Sequence, residues 1–326
     1  MYSAILGIDE AGLGPLLGPL TVGYSVFCLP RACTPADILK MDLWTDLGIG
    51  REPAERKKRP VVCDSKNLYS PSKGVKALEE EVLTWAELAG VDLGSLQSLW
   101  QTFCPLAREK LETYDWYNQP EFELPLIGSA SRMRLRAKPV QATLDATGHY
   151  MHGFGVAPLL VREFNGLIKR VNNKSKTEFE VISRVIGHFW HELTNLAVVC
   201  DRQGGREKYG GILSEHFPEA DVKKLHESKE ISTYELTISG VANRPSMFIA
   251  FMEKGELSQL PIALASMAAK YLRELMMELF NKWWTQHAAE LKPTAGYYKD
   301  GRRWLNDTAV IRDAMGTDNG ILIRNR

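Results

Sequence analysis

The chain has 326 residues, 44% of them apolar and 25% charged, which suits one large domain with insertions, or two domains, and excludes a chain disordered throughout. Lys plus Arg and Asp plus Glu stand at 40 each, so the formal net charge is zero; a uniformly basic protein is excluded, a local basic patch is not. Five scattered cysteines (Cys28, Cys33, Cys63, Cys104, Cys200) contain no CxxC pair, which argues against a disulfide framework and a zinc site.

The N-terminus lacks the basic start and long apolar core of a signal peptide, and no stretch is long and apolar enough to read as a transmembrane helix. A soluble cytoplasmic protein with reduced thiols is expected. Residues 2–9 are short, apolar and β-prone and end in acids, as a buried strand with a site at its carboxyl end would. Gly12, Gly14, Pro15, Gly18 and Pro19 make a tight loop, and residues 20–29 (LTVGYSVFCL) read as a second strand, giving a hairpin-like start. The charged run 51–60 (REPAERKKRP) reads as a solvated loop. A short strand at 61–63 precedes DSKNL, Ser70-Pro71 fits a helix start, and residues 73–89 carry a helical period.

Residues 90–150, with Trp100, Trp116 and several prolines, show no clean period and read as an insertion or small subdomain. A strand is expected at 149–156 or 158–162. A helix follows over 176–193, with Phe179, Ile182, Val185, Ile186 and Phe189 three or four apart. LAVVC at 196–200 is a strand ending at Asp201. Further on come a helix at 208–216, strands at 231–238 and 246–252, a long helix over 260–289 that Pro261 can enter in its first turn, and a last helix at 302–315. Strands first, then strands alternating with helices, favour an α/β fold with a mixed sheet.

Most of the 40 acidic residues are surface charge. Four stand out by position. Asp9 and Glu10 end the first strand, Asp201 ends LAVVC, and Glu256 precedes the long helix. Phosphodiester hydrolysis needs a water activated near neutral pH and charge neutralised on the attacking and leaving oxygens, which a pair of Mg²⁺ ions roughly 4 Å apart supplies. Such hard cations take carboxylate ligands, and strand ends hold them more rigidly than loops.

These residues fall within a wider match. Gly7-Ile8-Asp9-Glu10-Ala11-Gly12-Leu13-Gly14-Pro15 resembles the opening motif of type 2 ribonuclease H (ribonuclease HII), GxDEAGRGP. In order, Asp64-Ser65-Lys66-Asn67-Leu68 resembles the family's DSKxL, and Val199-Cys200-Asp201 its strand ending in a catalytic Asp. Residues 254–270 (KGELSQLPIALASMAAK) line up without a gap on its KGD…IAAASILAK, and Gly296-Tyr297 resembles the GY of KGYGT. The resemblance implies a ribonuclease H-like fold with a mixed central sheet flanked by helices, an inserted segment and a C-terminal helical part. The catalytic domain would span 1–290, with the insertion at about 90–150, and residues 291–326 would form a helical segment carrying the GY motif. It further implies a monomeric, metal-dependent endonuclease with no membrane partner. The enzyme would cut at ribonucleotides in RNA–DNA hybrids or duplex DNA, leaving a 3′-hydroxyl and a 5′-phosphate. Asp9, Glu10, Asp201 and Glu256 would bind two Mg²⁺ or Mn²⁺ ions. The backbone of Gly12, Leu13 and Gly14 would read the ribose 2′-hydroxyl, Tyr297 would stack on the neighbouring sugar, and Ser65 and Lys66 would contact phosphate.

Three positions depart from the family. Leu13 replaces an Arg, Glu256 an Asp, and Thr294-Ala295 a His-Lys type pair. Two positive contacts are thereby lost, and Glu256 moves its carboxylate by roughly an ångström, a scale to which catalytic geometry is sensitive. A non-cleaving hybrid- or junction-binding protein with this fold, or a nuclease with another nucleic-acid substrate, are the alternatives. GLGPLLG lacks the spacing of a dinucleotide fingerprint, and His191-Glu192 lacks the second His of a zinc protease helix. Met276, Met277, Trp283 and Trp284 read as core packing in preference to a base-stacking platform.

Overall fold

One seven-stranded mixed sheet organises the chain. The structure is a computed structural model and describes residues 1–240 and 245–325; residues 241–244 and Arg326, the last residue of the expected C-terminal segment, lie outside the described residues. β1 (Tyr2–Ala11), β2 (Leu20–Cys33) and β3 (Tyr150–Leu159) form an antiparallel meander. β4 (Asn195–Asp201) runs parallel to β1 on its other side. β5 (Ala220–Glu227), β6 (Ile231–Ile238) and β7 (Ser246–Met252) complete the sheet, β7 parallel to β4 and the others antiparallel, in the order β3-β2-β1-β4-β7-β6-β5.

Side-chain alternation along the strands divides the core in two. Ile5, Phe27, Ala197, Val199, Phe248 and Ala250 pack with the long helix Leu260–His287 on one face. Leu6, Ile8, Val22, Val198, Cys200 and Ile249 pack with the helices Val161–Val171 and Lys174–Leu193 on the other. Strands covered on both faces carry near-continuous apolar runs, which is how β1, β4 and β7 read in the sequence. The sheet is mixed and flanked by helices on both faces, as expected.

The long helix lies unusually close to the sheet. A Cβ on Gly7 would fall 2.1 Å from the Pro261 carbonyl carbon, and one on Gly23 2.0 Å from the Ala265 oxygen. Ser25 Oγ donates to the Pro261 carbonyl at 2.9 Å. Only small residues on the strands, opposite the Pro261–Ala265–Ala269 side of the helix, allow this approach.

Several expectations are corrected in detail. The strand 20–29 extends to Cys33, and the helix 73–89 begins at Lys76. The helix 302–315 is two, Tyr298–Asp307 and Ala309–Ala314. Val161–Val171 is a helix and β5 a strand that periodicity does not reveal. β5 is an edge strand of mostly exposed charged and polar residues, so it has no apolar face to read. The run 51–60 holds a short helical turn, Pro53–Lys57, and Arg56 turns inward to pair with Glu80 (2.5 Å) and Glu81 (2.8 Å).

Residues 90–150 fold against the first core. They form the helices Leu96–Phe103 and Ala130–Thr147 with two short turns between, and β3 begins at Tyr150. Trp116 packs on Phe280, Trp283 and Trp284 of the long helix at 5.6–6.4 Å between ring centroids. Gln119 Nε2 donates to the Leu279 carbonyl at 2.8 Å. Buried Glu79 accepts from the backbone amides of Leu126 (2.7 Å) and Ile127 (2.9 Å) and from Tyr271 Oη (3.2 Å). All five cysteines are free, and no helix among the described residues is long and apolar enough to cross a membrane.

Candidate active site

The parallel strands β1, β4 and β7 end at the same edge of the sheet, where open α/β sheets place their sites. Ile8 pairs with Cys200 and Asp201 with Met252, so Asp9 and Asp201 are the residues where β1 and β4 leave the ladder side by side. The chain after β7 turns through Lys254, at φ +55°, into the short helical turn Gly255–Leu257, which carries Glu256 to the same edge. The Gly255 amide donates to Asp201 Oδ1 at 2.8 Å.

Alternation then distributes the acids. Asp9 follows Ile5 and Gly7 toward the long helix, where Ser266 hydrogen-bonds it and the Glu10 amide donates to its Oδ1 at 2.8 Å. Glu10 follows Leu6 and Ile8 toward the opposite face and meets Glu178 of the helix Lys174–Leu193. The groups form a continuous chain: Glu178 adjoins Glu10, Glu10 and Asp9 both face Asp201, and Asp201 adjoins Glu256. Among the described residues, no three His, Cys, Asp or Glu side chains already stand in the geometry of a metal site.

The same proximity sets their acidity. Burial first, then Glu10 and Asp201, holds the Asp9 carboxyl well above the ordinary carboxylate range. Burial, then Glu178 and Asp201, does so for Glu10. Asp201 is pushed up to about 6, by burial and by Glu256 against the opposing Gly255 amide. Glu178 is pushed up to about 7, chiefly by burial. Clustered, desolvated acids of this kind are characteristic of functional sites.

The loop after β1 forms one wall. Gly12 has φ +87°, and a Cβ there would lie 2.6 Å from the Arg273 side chain, so no other residue fits. Gly14 is exposed with open space around its Cα, whereas Leu13 is half-buried and packs against the second core. Two buried arginines that no motif announced stand behind the loop. Arg324 donates to the carbonyls of Gly18 (2.7 Å) and Gly12 (2.6 Å), and its amide donates to the Leu16 carbonyl at 2.9 Å. Arg273 donates to the Ala295 carbonyl at 3.0 Å and lies 5.8 Å from the Tyr297 ring. Gly296 accepts from the amides of Leu16 (2.7 Å) and Leu17 (3.1 Å), so the GY segment is docked on the Gly12–Gly18 loop with Tyr297 exposed.

Asp64, Ser65 and Lys66 start a short helix, Ser65–Leu68, capped by Asp64, whose carboxylate accepts from the Lys66 amide at 3.0 Å. Lys66 is exposed and Ser65 buried, and neither is hydrogen-bonded or ion-paired to the four acids. The segment leans on the long helix, where Tyr69 Oη donates to Glu274 (2.5 Å) and Lys270 Nζ lies 4.7 Å from the Tyr69 ring. Thus the structure gathers Asp9, Glu10, Asp201 and Glu256 at one edge and Gly12, Leu13, Gly14 and Tyr297 beside them. Ser65 and Lys66 make no hydrogen bond or ion pair with the acids. Glu178 escaped sequence reasoning because it sits inside an amphipathic helix; its signal is an acid on the apolar stripe, four residues before Ile182.

No family model matches the chain, and no curated protein matches it. Solved structures do. Bst-RNase HIII in complex with Mn²⁺ is 14% identical with a TM-score of 0.44, over 98% of this chain and 65% of that one. RNase HII from Archaeoglobus fulgidus, in a PCNA:RNase HII complex, is 14% identical with a TM-score of 0.42, over 99% of this chain and 94% of that one. Aquifex aeolicus RNase H3 is 13% identical with a TM-score of 0.41, over 98% and 71%. This chain therefore spans somewhat less than two thirds of the length of Bst-RNase HIII. At such identities and TM-scores no residue role passes from them to this chain. The strand order, register and helix-covered faces stand on their own, and by fold the chain is α/β, a mixed sheet flanked by helices.

Proposed function

We propose that the chain is a metal-dependent endonuclease of the ribonuclease H type, acting on RNA–DNA hybrids or on ribonucleotides in duplex DNA. The observation that carries this reading is the meeting of four carboxylates from three separate chain segments at the carboxyl edge of three parallel strands. The donor set is all hard oxygen, which suits Mg²⁺ or Mn²⁺. When bound, such ions supply an activated water and neutralise charge on the attacking and leaving oxygens. Asp9, Glu10, Asp201 and Glu256 hold them. Ser266 and the Glu10 amide keep Asp9 oriented, and the Gly255 amide does so for Asp201. Arg324, by holding the Gly12 and Gly18 carbonyls, fixes a loop whose Gly12–Gly14 backbone can read a 2′-hydroxyl. Tyr297 offers an exposed ring to the adjacent sugar, and Lys66 an exposed cation to more distant phosphate.

The test uses purified protein with Mg²⁺ or Mn²⁺, a DNA duplex holding one ribonucleotide, and a long RNA–DNA hybrid. Cutting that leaves a 3′-hydroxyl and a 5′-phosphate is expected, and Asp9→Asn should abolish it without abolishing binding. Binding with no cutting of either substrate in either metal would overturn the enzyme in favour of a non-cleaving hybrid binder. Leu13, packed on the core where the family presents an Arg, is the observation on that second reading's side.

A further inference from the structure

We infer that Glu178 is a fifth oxygen donor to the divalent-cation site, acting beside Glu10, with the Gln203 carboxamide as its neighbour; this rests on the nuclease reading above. Glu178 is 1% exposed, and its carboxyl oxygens have no neighbour to bond besides Glu10 and the Gln203 side chain. Gln203 is 2% exposed, and its Oε1 and Nε2 have no partner other than Glu178, which its side chain faces. The Gln203 amide donates to Tyr209 Oη at 3.1 Å, so the turn after β4 that presents it is fixed. Arg206, the cation nearest in influence, bonds Ser175 instead, at 2.9 Å.

Packing alone does not call for an acid at this position. Glu178, Ile182, Val185, Ile186 and Phe189 form one buried stripe of the helix, and an apolar side chain would complete it. Two other deeply buried acids are satisfied. Glu79 accepts two backbone amides and a tyrosine hydroxyl, and Glu81 accepts from Arg56, Arg136 and the Val61 amide. A buried carboxyl whose only neighbours are a second acid and one carboxamide is costly, so its retention beside Glu10 asks for a ligand. A hard cation is the ligand that carboxylate and carboxamide oxygens share.

Mn²⁺ binding to the full chain, followed by calorimetry and by electron paramagnetic resonance of free Mn²⁺, tests this without reference to turnover. Glu178→Gln should bind Mn²⁺ roughly 10–100-fold more weakly, the range for groups that support metal ligands, while its melting temperature without metal stays at or above that of the natural chain. Wild-type affinity and stoichiometry in Glu178→Gln, with binding lost in Asp9→Asn, would overturn the Glu178 assignment and leave the nuclease reading standing. No Mn²⁺ binding by the natural chain would overturn both. If Glu178→Gln does not fold, Glu178→Asp carries the same comparison, since it keeps the ligand type and shortens its reach; unchanged binding there, with Gln203→Leu also unchanged, overturns the assignment.

Discussion

On the face of the sheet covered by the helix Leu260–His287, the acids are held by neighbours. Asp9 has Ser266 and the Glu10 amide, and Asp201 has the Gly255 amide. On the opposite face Glu10 and Glu178 meet each other, with the Gln203 side chain as the neutral neighbour of Glu178. The first face is set by backbone at contact distance, so its geometry exists before any ligand arrives. The second face carries the larger unmet need for a positive charge. A site that straddles a sheet edge in this way pairs a preformed half with a half that a cation completes.

The largest change expected on the preformed face comes from Gly23→Ala, which drives a methyl group into the Ala265 carbonyl at 2.0 Å. Overpacking of this kind costs about 1–3 kcal/mol, and contact with backbone places it at the upper end. Denaturant midpoints read it. A loss under about 0.5 kcal/mol, ordinary for a surface change, would mean that the helix is free to withdraw and that this face is not preset.

A pH series separates the two faces next. Asp201 at about 6 and Glu178 at about 7 lie above ordinary carboxyl values, so the folded chain binds more protons than the unfolded one between roughly pH 4 and 7. Their contribution to stability is therefore full below about pH 4 and is lost as pH rises through 6 and 7. Asp201→Asn and Glu178→Gln should each flatten that fall, measured without divalent metal. Parallel curves for both variants and the natural chain from about pH 5 to 8 would remove the electrostatic basis of the comparison.

The smallest effect concerns the loop wall. Leu13→Arg exchanges a half-buried contact for a cation beside the exposed Gly14. Duplex binding should strengthen and its salt dependence should steepen by about 0.9 per added phosphate contact. An unchanged slope would show that position 13 faces the core in the complex too.

Much of the sheet was legible because its strands are apolar on both faces and end abruptly in acids. β1, β4 and β7 and the long helix read from periodicity alone, and Asp9, Asp201 and Glu256 came from those endings together with the ordered motifs. β5 was illegible because an exposed edge strand has no apolar alternation. Residues 90–150 were illegible because aromatic side chains such as Trp116 anchor them to a helix more than 150 positions away, a contact with no local period. The sequence by itself determined that acids stand at the ends of particular strands, since alternation and chain breaks are local. Only the tertiary structure decided that Glu10 turns from Asp9 to face Glu178, and that Arg273 and Arg324 brace the loop, because those meetings depend on which helix covers which face.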